Sequence, residues 1–199
     1  MMGTIAPPAA RALARLHEAG FEAWLVGGCV RDMLLGCAPK DYDLATSARP
    51  EETKAVFQGE TVLETGIRHG TVTVLLEGMP LEITTYRVDG AYSDARHPDG
   101  VTFADNLRAD AARRDFTINA MAYAPGQGLR DYFGGQADLR AGCLRAVGDP
   151  GTRFQEDALR ILRGLRFAAV LDFSLEEETD RAARRYAPLL TKVSAERCA

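Results

Sequence analysis

A chain of 199 residues is long enough for one good-sized domain, or for one domain and part of another. Its hydrophobic fraction of 46% is ordinary for a soluble globular protein, and no apolar run approaches the length a membrane-spanning helix needs. The formal net charge of −4 is not the basic excess of most nucleic-acid-binding domains; arginines nevertheless gather at Arg113, Arg114, Arg153, Arg160, Arg163 and Arg166, which suits a nucleotide site better than an extended RNA-binding surface.

The first twenty residues are too polar and too helix-patterned for a secretory signal. Cys29, Cys37, Cys143 and Cys198 show no C-x-x-C spacing and read as reduced thiols of a cytoplasmic protein. His17, His69 and His97 are scattered and read as structural or surface residues. Pro7 and Pro8 open a helical pattern with Leu13, Leu16 and Ala19 on one face and Gly20 as its stop, a helix expected to cover a sheet.

The most informative stretch is 24–44, WLVGGCVRDMLLGCAPKDYDL. Trp24, Leu25 and Val26 read as a buried strand, and Gly27 and Gly28 as the turn into a helix over 29–35 that Gly36 terminates. Without Cβ atoms the two glycines let a phosphate approach the backbone. Asp41 and Asp43 stand at i and i+2, the same face of an extended segment. Paired carboxylates repel unless a cation lies between them, and Mg2+ is the hard cation that oxygen ligands hold. Together these features suggest nucleotidyl or phosphoryl transfer. A tight turn and a solvated Asp-x-Asp loop are the plainer readings of the same residues.

Further along, Thr46 or Ser47 is placed as the cap of a helix with Pro50 in its first turn, running to Phe57. Residues 61–64 and 71–76 read as strands, 77–80 as a hairpin turn and 81–86 as the return strand. Alternation sets Leu81 and Ile83 on one face, and Glu82 and Thr84 on the other. Glu82 is therefore either a third carboxylate or a solvent-facing side chain. The polar segment 88–105 is long for a compact connection and reads as a mobile functional loop or a disordered insertion. Arg113 and Arg114 precede an amphipathic run with Phe116, Ile118 and Met121 on its apolar side; the plainer reading is a capped core helix, and the functional one a guanidinium on a triphosphate. Residues 129–139 predict a short strand, a glycine turn and a helix. After Asp149 and Pro150, apolar residues Ala158, Leu159, Leu162, Leu165 and Ala169 keep helical spacing, with Arg160, Arg163 and Arg166 along one flank. That flank is a solvated face or a surface for a polyanion or base edge. Residues 174–186 predict a helix, acidic first and basic last.

GGCVRD (27–32) followed by KDYDLAT (40–46) resembles the signature of class II nucleotidyltransferases, the tRNA CCA-adding enzymes and bacterial poly(A) polymerases of the DNA polymerase beta superfamily. EITTYR (82–87), YSDARHPD (92–99), RRDFTINA (113–120), LRDYFGG with ADL (129–139) and EDALR (156–160) resemble further motifs of that family. The resemblance implies an α/β fold: a polymerase-beta-like head with a mixed sheet flanked by helices over 1–147, then the start of a helical neck over 148–199, without the RNA-binding body and tail. It implies template-independent transfer of CMP or AMP from CTP or ATP to the 3′ end of tRNA, with two Mg2+ ions on Asp41 and Asp43, joined by Glu82. It further implies nucleotide contacts from Gly27, Gly28, Arg31 and Arg114, with Asp115 and Asn119 near the ribose. Asp157 and Arg160 would select the base, and Arg163 and Arg166 would support phosphate or base. The 92–99 run mildly favours an enzyme able to add A. The alternatives are a poly(A) polymerase and a catalytically incompetent nucleotide-binding fragment. No membrane and no protein partner are implied. Similar enzymes often carry acidic residues upstream of RRD, where only Asp110 keeps that character and receives no role.

Overall fold

A computed structural model describes residues 3–90 and 101–193. Its elements are α1 (Pro7–Glu18), β1 (Ala23–Val26), α2 (Gly28–Leu34), β2 (Tyr42–Thr46), α3 (Pro50–Val56), β3 (Thr61–Leu63), β4 (Thr71–Leu76), β5 (Met79–Thr85), β6 (Arg87–Asp89), β7 (Val101–Phe103), α4 (Leu107–Ala112), β8 (Met121–Ala124), β9 (Gly128–Asp131), α5 (Gly135–Ala141), β10 (Cys143–Leu144), α6 (Pro150–Glu156), α7 (Leu159–Leu171), β11 (Ser174–Leu175) and α8 (Glu177–Tyr186). Seven strands form one mixed sheet in the order β3-β4-β5-β2-β1-β8-β9. Within it only β2 and β5 run parallel.

Side-chain alternation divides this sheet into two unlike faces. Leu25, Leu44, Leu81 and Ile83 join Leu13 and Leu16 of α1 and Val30 and Met33 of α2 in the main core. The same core continues through Phe116, Leu144, Phe154, Ile161 and Phe167 to Ala183 on α8, so the helices after residue 147 share it. The opposite face carries a smaller cluster of Trp24, Val26, Ala45, Tyr86, Leu107, Ala122 and Ala124. Asp43 alternates with Tyr42 and Leu44, and Glu82 with Leu81 and Ile83, so both carboxylates stand on this second face.

Local chemistry explains the elements that position them. Glu77 and Gly78 both have positive φ, 52° and 80°, which is the tight turn that suits a twisted hairpin; β5 therefore begins at Met79, earlier than the expected turn ends. Gly36, at φ 75°, follows the last turn of α2 and closes it: its N–H donates to the Met33 carbonyl and that of Cys37 to the Asp32 carbonyl. Burial pushes the Cys29 thiol up to about 11, in keeping with an inert structural cysteine.

Several expectations need correction. Residues 113–124 are not a helix: Phe116 is extended, Thr117–Asn119 make one 3-10 turn, and β8 pairs with β1 and β9. The edge of β1 offered backbone partners that outweigh the weak preferences of Ala and Met for helix. The cap of α3 is Arg49, whose N–H donates to Glu52 Oε2, while Thr46 Oγ1 accepts from Ala48 N one turn earlier. The buried side of α7 is Ile161, Gly164 and Phe167 with Arg160, not the Leu159, Leu162, Leu165 and Ala169 stripe; Leu165 is 51% exposed. Ala19 lies past the end of α1 and is exposed. Residues 174–175 form β11, parallel to β10, and α8 starts only after Glu176 caps it through Thr179. The segment 88–105 opens and closes as the β6–β7 ribbon, whereas its 92–99 run lies outside the described residues.

Gly135 shows how tightly the site's support is packed. A Cβ there would stand 2.3 Å from the Thr117 carbonyl oxygen, a backbone atom that cannot swing aside. Gly135→Ala is expected to lower the unfolding free energy by about 3 kcal/mol, the upper range for overpacking, as measured by urea denaturation. A variant as stable as the parent would contradict this contact between α5 and the 117–119 turn.

Candidate active site

The site begins where β1 ends. Gly27 takes φ 75° and ψ −136°, a conformation that side chains avoid, and turns the chain into α2. Its bare Cα is also a spatial need: a Cβ would stand 3.1 Å from Arg114 Nη1 and 3.6 Å from Asp43 Oδ2. Gly27 thus sits where the guanidinium and the carboxylate meet. Gly28 follows, with room of 3.6 Å from a virtual Cβ to Arg31 Nη2.

Parallel pairing places Asp43 directly opposite Glu82, so their side chains leave the same face of adjacent strands. Asp41 precedes β2 and is exposed, as is Glu82. Burial, then repulsion from Glu82, pushes the Asp43 carboxyl above the usual carboxylate range; Arg114 pulls it back and Asp41 adds to the rise. Beside Glu82 lies an open cavity of about 330 Å3 lined by Thr65, Gly66, His69, Thr71, Thr73 and Arg87. Among the described residues no three acidic, histidine or cysteine side chains enclose an ion by themselves. Hard oxygen donors on one side only suit Mg2+, which commonly takes one or two carboxylates and completes its shell from substrate phosphates and water.

Arg114 is held by Asp110, a residue that sequence reasoning left without a role. Asp110 is fully buried on α4, pairing with Arg113 Nη2 at 3.0 Å and Arg114 Nη2 at 3.2 Å. It also accepts from Arg87 N at 3.4 Å. Burial alone would raise its carboxyl, but the two guanidinium groups override this and hold it below the ordinary value. The signal was legible in the spacing: on a helix, i+3 and i+4 return to the face of i.

A second network runs from α2 to α7. Arg31 Nη1 donates to Asn119 Oδ1 at 2.9 Å, and Arg31 Nη2 to Asp32 Oδ1 at 2.7 Å. Asn119 Nδ2 donates to Asp115 Oδ1 at 3.2 Å, and Asp115 Oδ2 receives Arg163 Nη2 at 2.8 Å. Burial would raise Asp115, but Arg163 holds it below the usual range. Asp115 and Asn119 therefore join Arg31 to Arg163. Farther along, Asp157 Oδ1 accepts from Leu159 N at 3.0 Å at the start of α7. Arg160 is buried, bonded to Glu156 Oε2 at 3.1 Å and to the Arg113 carbonyl at 3.1 Å. Arg166 is exposed on the same helix. The expected residues thus fall into two joined groups: Gly27, Asp43, Glu82 and Arg114 around the carboxylates, and Gly28, Arg31, Asn119, Asp115 and Arg163 beside them. Arg160 meets this assembly through Arg113.

Asp110→Asn is expected to cost about 3–5 kcal/mol at pH 7, because it leaves two arginines without their buried carboxylate partner. The folded pKa lies below the unfolded value of about 3.9, so the stabilisation is present above that value and is lost as pH falls through the folded pKa. Urea unfolding of parent and variant should therefore converge in acid. A stability gap that does not change with pH would contradict the ion-pair assignment.

A model of the family described as poly A polymerase head domain matches residues 23–145. A CCA-adding enzyme of Lactobacillus gasseri is 51% identical over 185 residues, covering 93% of this chain and 46% of the relative. One of Enterococcus faecalis is 50% identical over 189 residues, covering 95% and 46%. The chain thus spans about half the length of these relatives. Among solved structures, the Bacillus stearothermophilus CCA-adding enzyme in complex with CTP superposes with a TM-score of 0.88 at 40% identity, covering 98% of this chain and 47% of that one. A tRNA nucleotidyltransferase complexed with a primer tRNA and an incoming ATP analogue gives 0.75 at 33% identity, covering 94% and 53%. With the family's match spanning most of the chain and its motifs lying on the strands and turns just described, this protein belongs to the poly(A) polymerase head-domain family of nucleotidyltransferases.

Proposed function

We propose that this chain is the catalytic part of a tRNA CCA-adding nucleotidyltransferase. The observation that carries the reading is the parallel register of Asp43 against Glu82 beside Gly27 and Arg114. Support comes from the relatives, which are CCA-adding enzymes at about half identity, and from the structural likeness to one bound to CTP. Residues 1–147 act as the head, and 148–199 as the start of a neck.

In the proposed reaction the 3′-hydroxyl oxygen of a tRNA attacks the α-phosphorus of CTP or ATP. The bond from that phosphorus to the bridging oxygen breaks, and pyrophosphate leaves. Asp41 and Asp43, assisted by Glu82, would hold two Mg2+ ions, which supply charge neutralisation at the phosphates and a more acidic attacking hydroxyl. Gly27 and Gly28 clear space for the triphosphate, and Arg31 and Arg114 balance its charge. Asp157 and Arg160 select the base, and Arg163 and Arg166 assist. Because Arg160 bonds to the Arg113 carbonyl, the base reader is tied to the turn after α4 that carries Arg114.

The family description also keeps a poly(A) polymerase reading in view. The shared half-length with the relatives keeps a binding-only fragment in view as well. Labelled CTP and ATP, offered separately and together to tRNA transcripts ending before CCA, after C and after CC, distinguish all three. Ordered addition of C, C and A in Mg2+ is the expected result. A run of A on any RNA end would favour the polymerase, and nucleotide binding without incorporation would favour the fragment. Asp43→Ala is expected to lower incorporation by at least about 1,000-fold with its circular dichroism unchanged, and chelation of Mg2+ is expected to do the same. Incorporation retained in Asp43→Ala would overturn the mechanism.

A further inference from the structure

The cations of the proposed nucleotide site converge on one aromatic ring. The guanidinium carbons of Arg31, Arg163 and Arg166 lie over Phe167, at 5.2, 5.3 and 4.9 Å from its centroid. Arg31 comes from α2 and the other two from α7. The ring is 8% exposed and stands edge-on to Phe116, with centroids 6.1 Å apart and an interplanar angle of 87°. Phe116 is in turn pressed against Gly164, where a Cβ would fall 2.8 Å from its Cζ. The ring therefore has one fixed place.

Three like charges so close together repel one another. Asp32 pairs with Arg31 and Asp115 with Arg163, whereas Arg166 makes no ion pair with another described residue. The negative face of an aromatic ring attracts each guanidinium without occupying its N–H groups: Arg31 spends part of its set on Asp32 and Asn119, Arg163 spends part on Asp115, and the remaining N–H groups are left for phosphate oxygens. A further carboxylate in the ring's place would consume more of those donors and cancel more of the charge than Asp32 and Asp115 already do.

We propose that Phe167 is a positioning residue: its ring gathers Arg31, Arg163 and Arg166 from two helices into one polyphosphate-binding array. The inference rests on the nucleotide-site reading above. It also makes Phe167 the side chain through which α7 and α2 sense the same ligand.

The test is equilibrium binding of inorganic tripolyphosphate and of CTP to the 199-residue chain by calorimetry. Three forms are compared: the parent, Phe167→Leu, and a chain carrying 3,4,5-trifluorophenylalanine at position 167. Fluorination nearly preserves ring shape but withdraws electron density from the ring face, so a packing role would leave binding unaltered. Both altered forms are expected to bind both ligands about tenfold more weakly, or about 1.4 kcal/mol. Binding by the trifluoro form within about twofold of a binding parent would overturn the inference while leaving the nucleotide site intact. A parent that binds neither ligand would overturn the nucleotide-site reading and this inference with it.

Discussion

The proposed metal-binding carboxylates depend on one parallel strand pair. β2 and β5 align Asp43 with Glu82, and alternation turns both away from the main core. Like charges on neighbouring strands repel, and by less where water screens them, as it does at the exposed Glu82. Such a pair is a poor choice for stability alone. It becomes reasonable when a cation is to be bound; burial first, and then this repulsion, displace the Asp43 carboxyl upward.

The surrounding structure manages that charge. Arg114 reaches toward Asp43 across the bare Cα of Gly27, and Asp110 anchors it from beneath. The second chain of polar contacts, from Asp32 through Arg31, Asn119 and Asp115 to Arg163, extends the positive region to α7. Each buried carboxylate in these networks has a guanidinium partner, so burial costs are offset locally. The main core runs without a break from α1 to α8, which keeps the two networks in fixed relation.

Much of this was legible in the sequence because it rests on local rules. Gly27 and Gly28 after an apolar run, the Glu77 and Gly78 turn, and Glu82 alternating with Leu81 and Ile83 each follow from spacing within a few residues. What was not legible rests on partners distant in the chain. Met121 to Ala124 are strand only because β1 and β9 lie on either side. Arg160 is on the buried face of α7, where it donates a hydrogen bond to the Arg113 carbonyl 47 positions away. Phe167 reads as an ordinary core residue until Arg31 is brought over its ring from α2. Asp110 was within reach of sequence reasoning, since its arginine partners stand at i+3 and i+4.

In the proposed site Asp41, Asp43 and Glu82 hold divalent ions together with a nucleotide. Electron paramagnetic resonance of Mn2+ added with CTP reads this directly, because two ions roughly 3.5–4 Å apart couple magnetically. The account predicts a coupled pair in the parent chain that disappears in Asp43→Asn. Mn2+ bound with the same stoichiometry and the same spectrum after both Asp41→Asn and Asp43→Asn would contradict it.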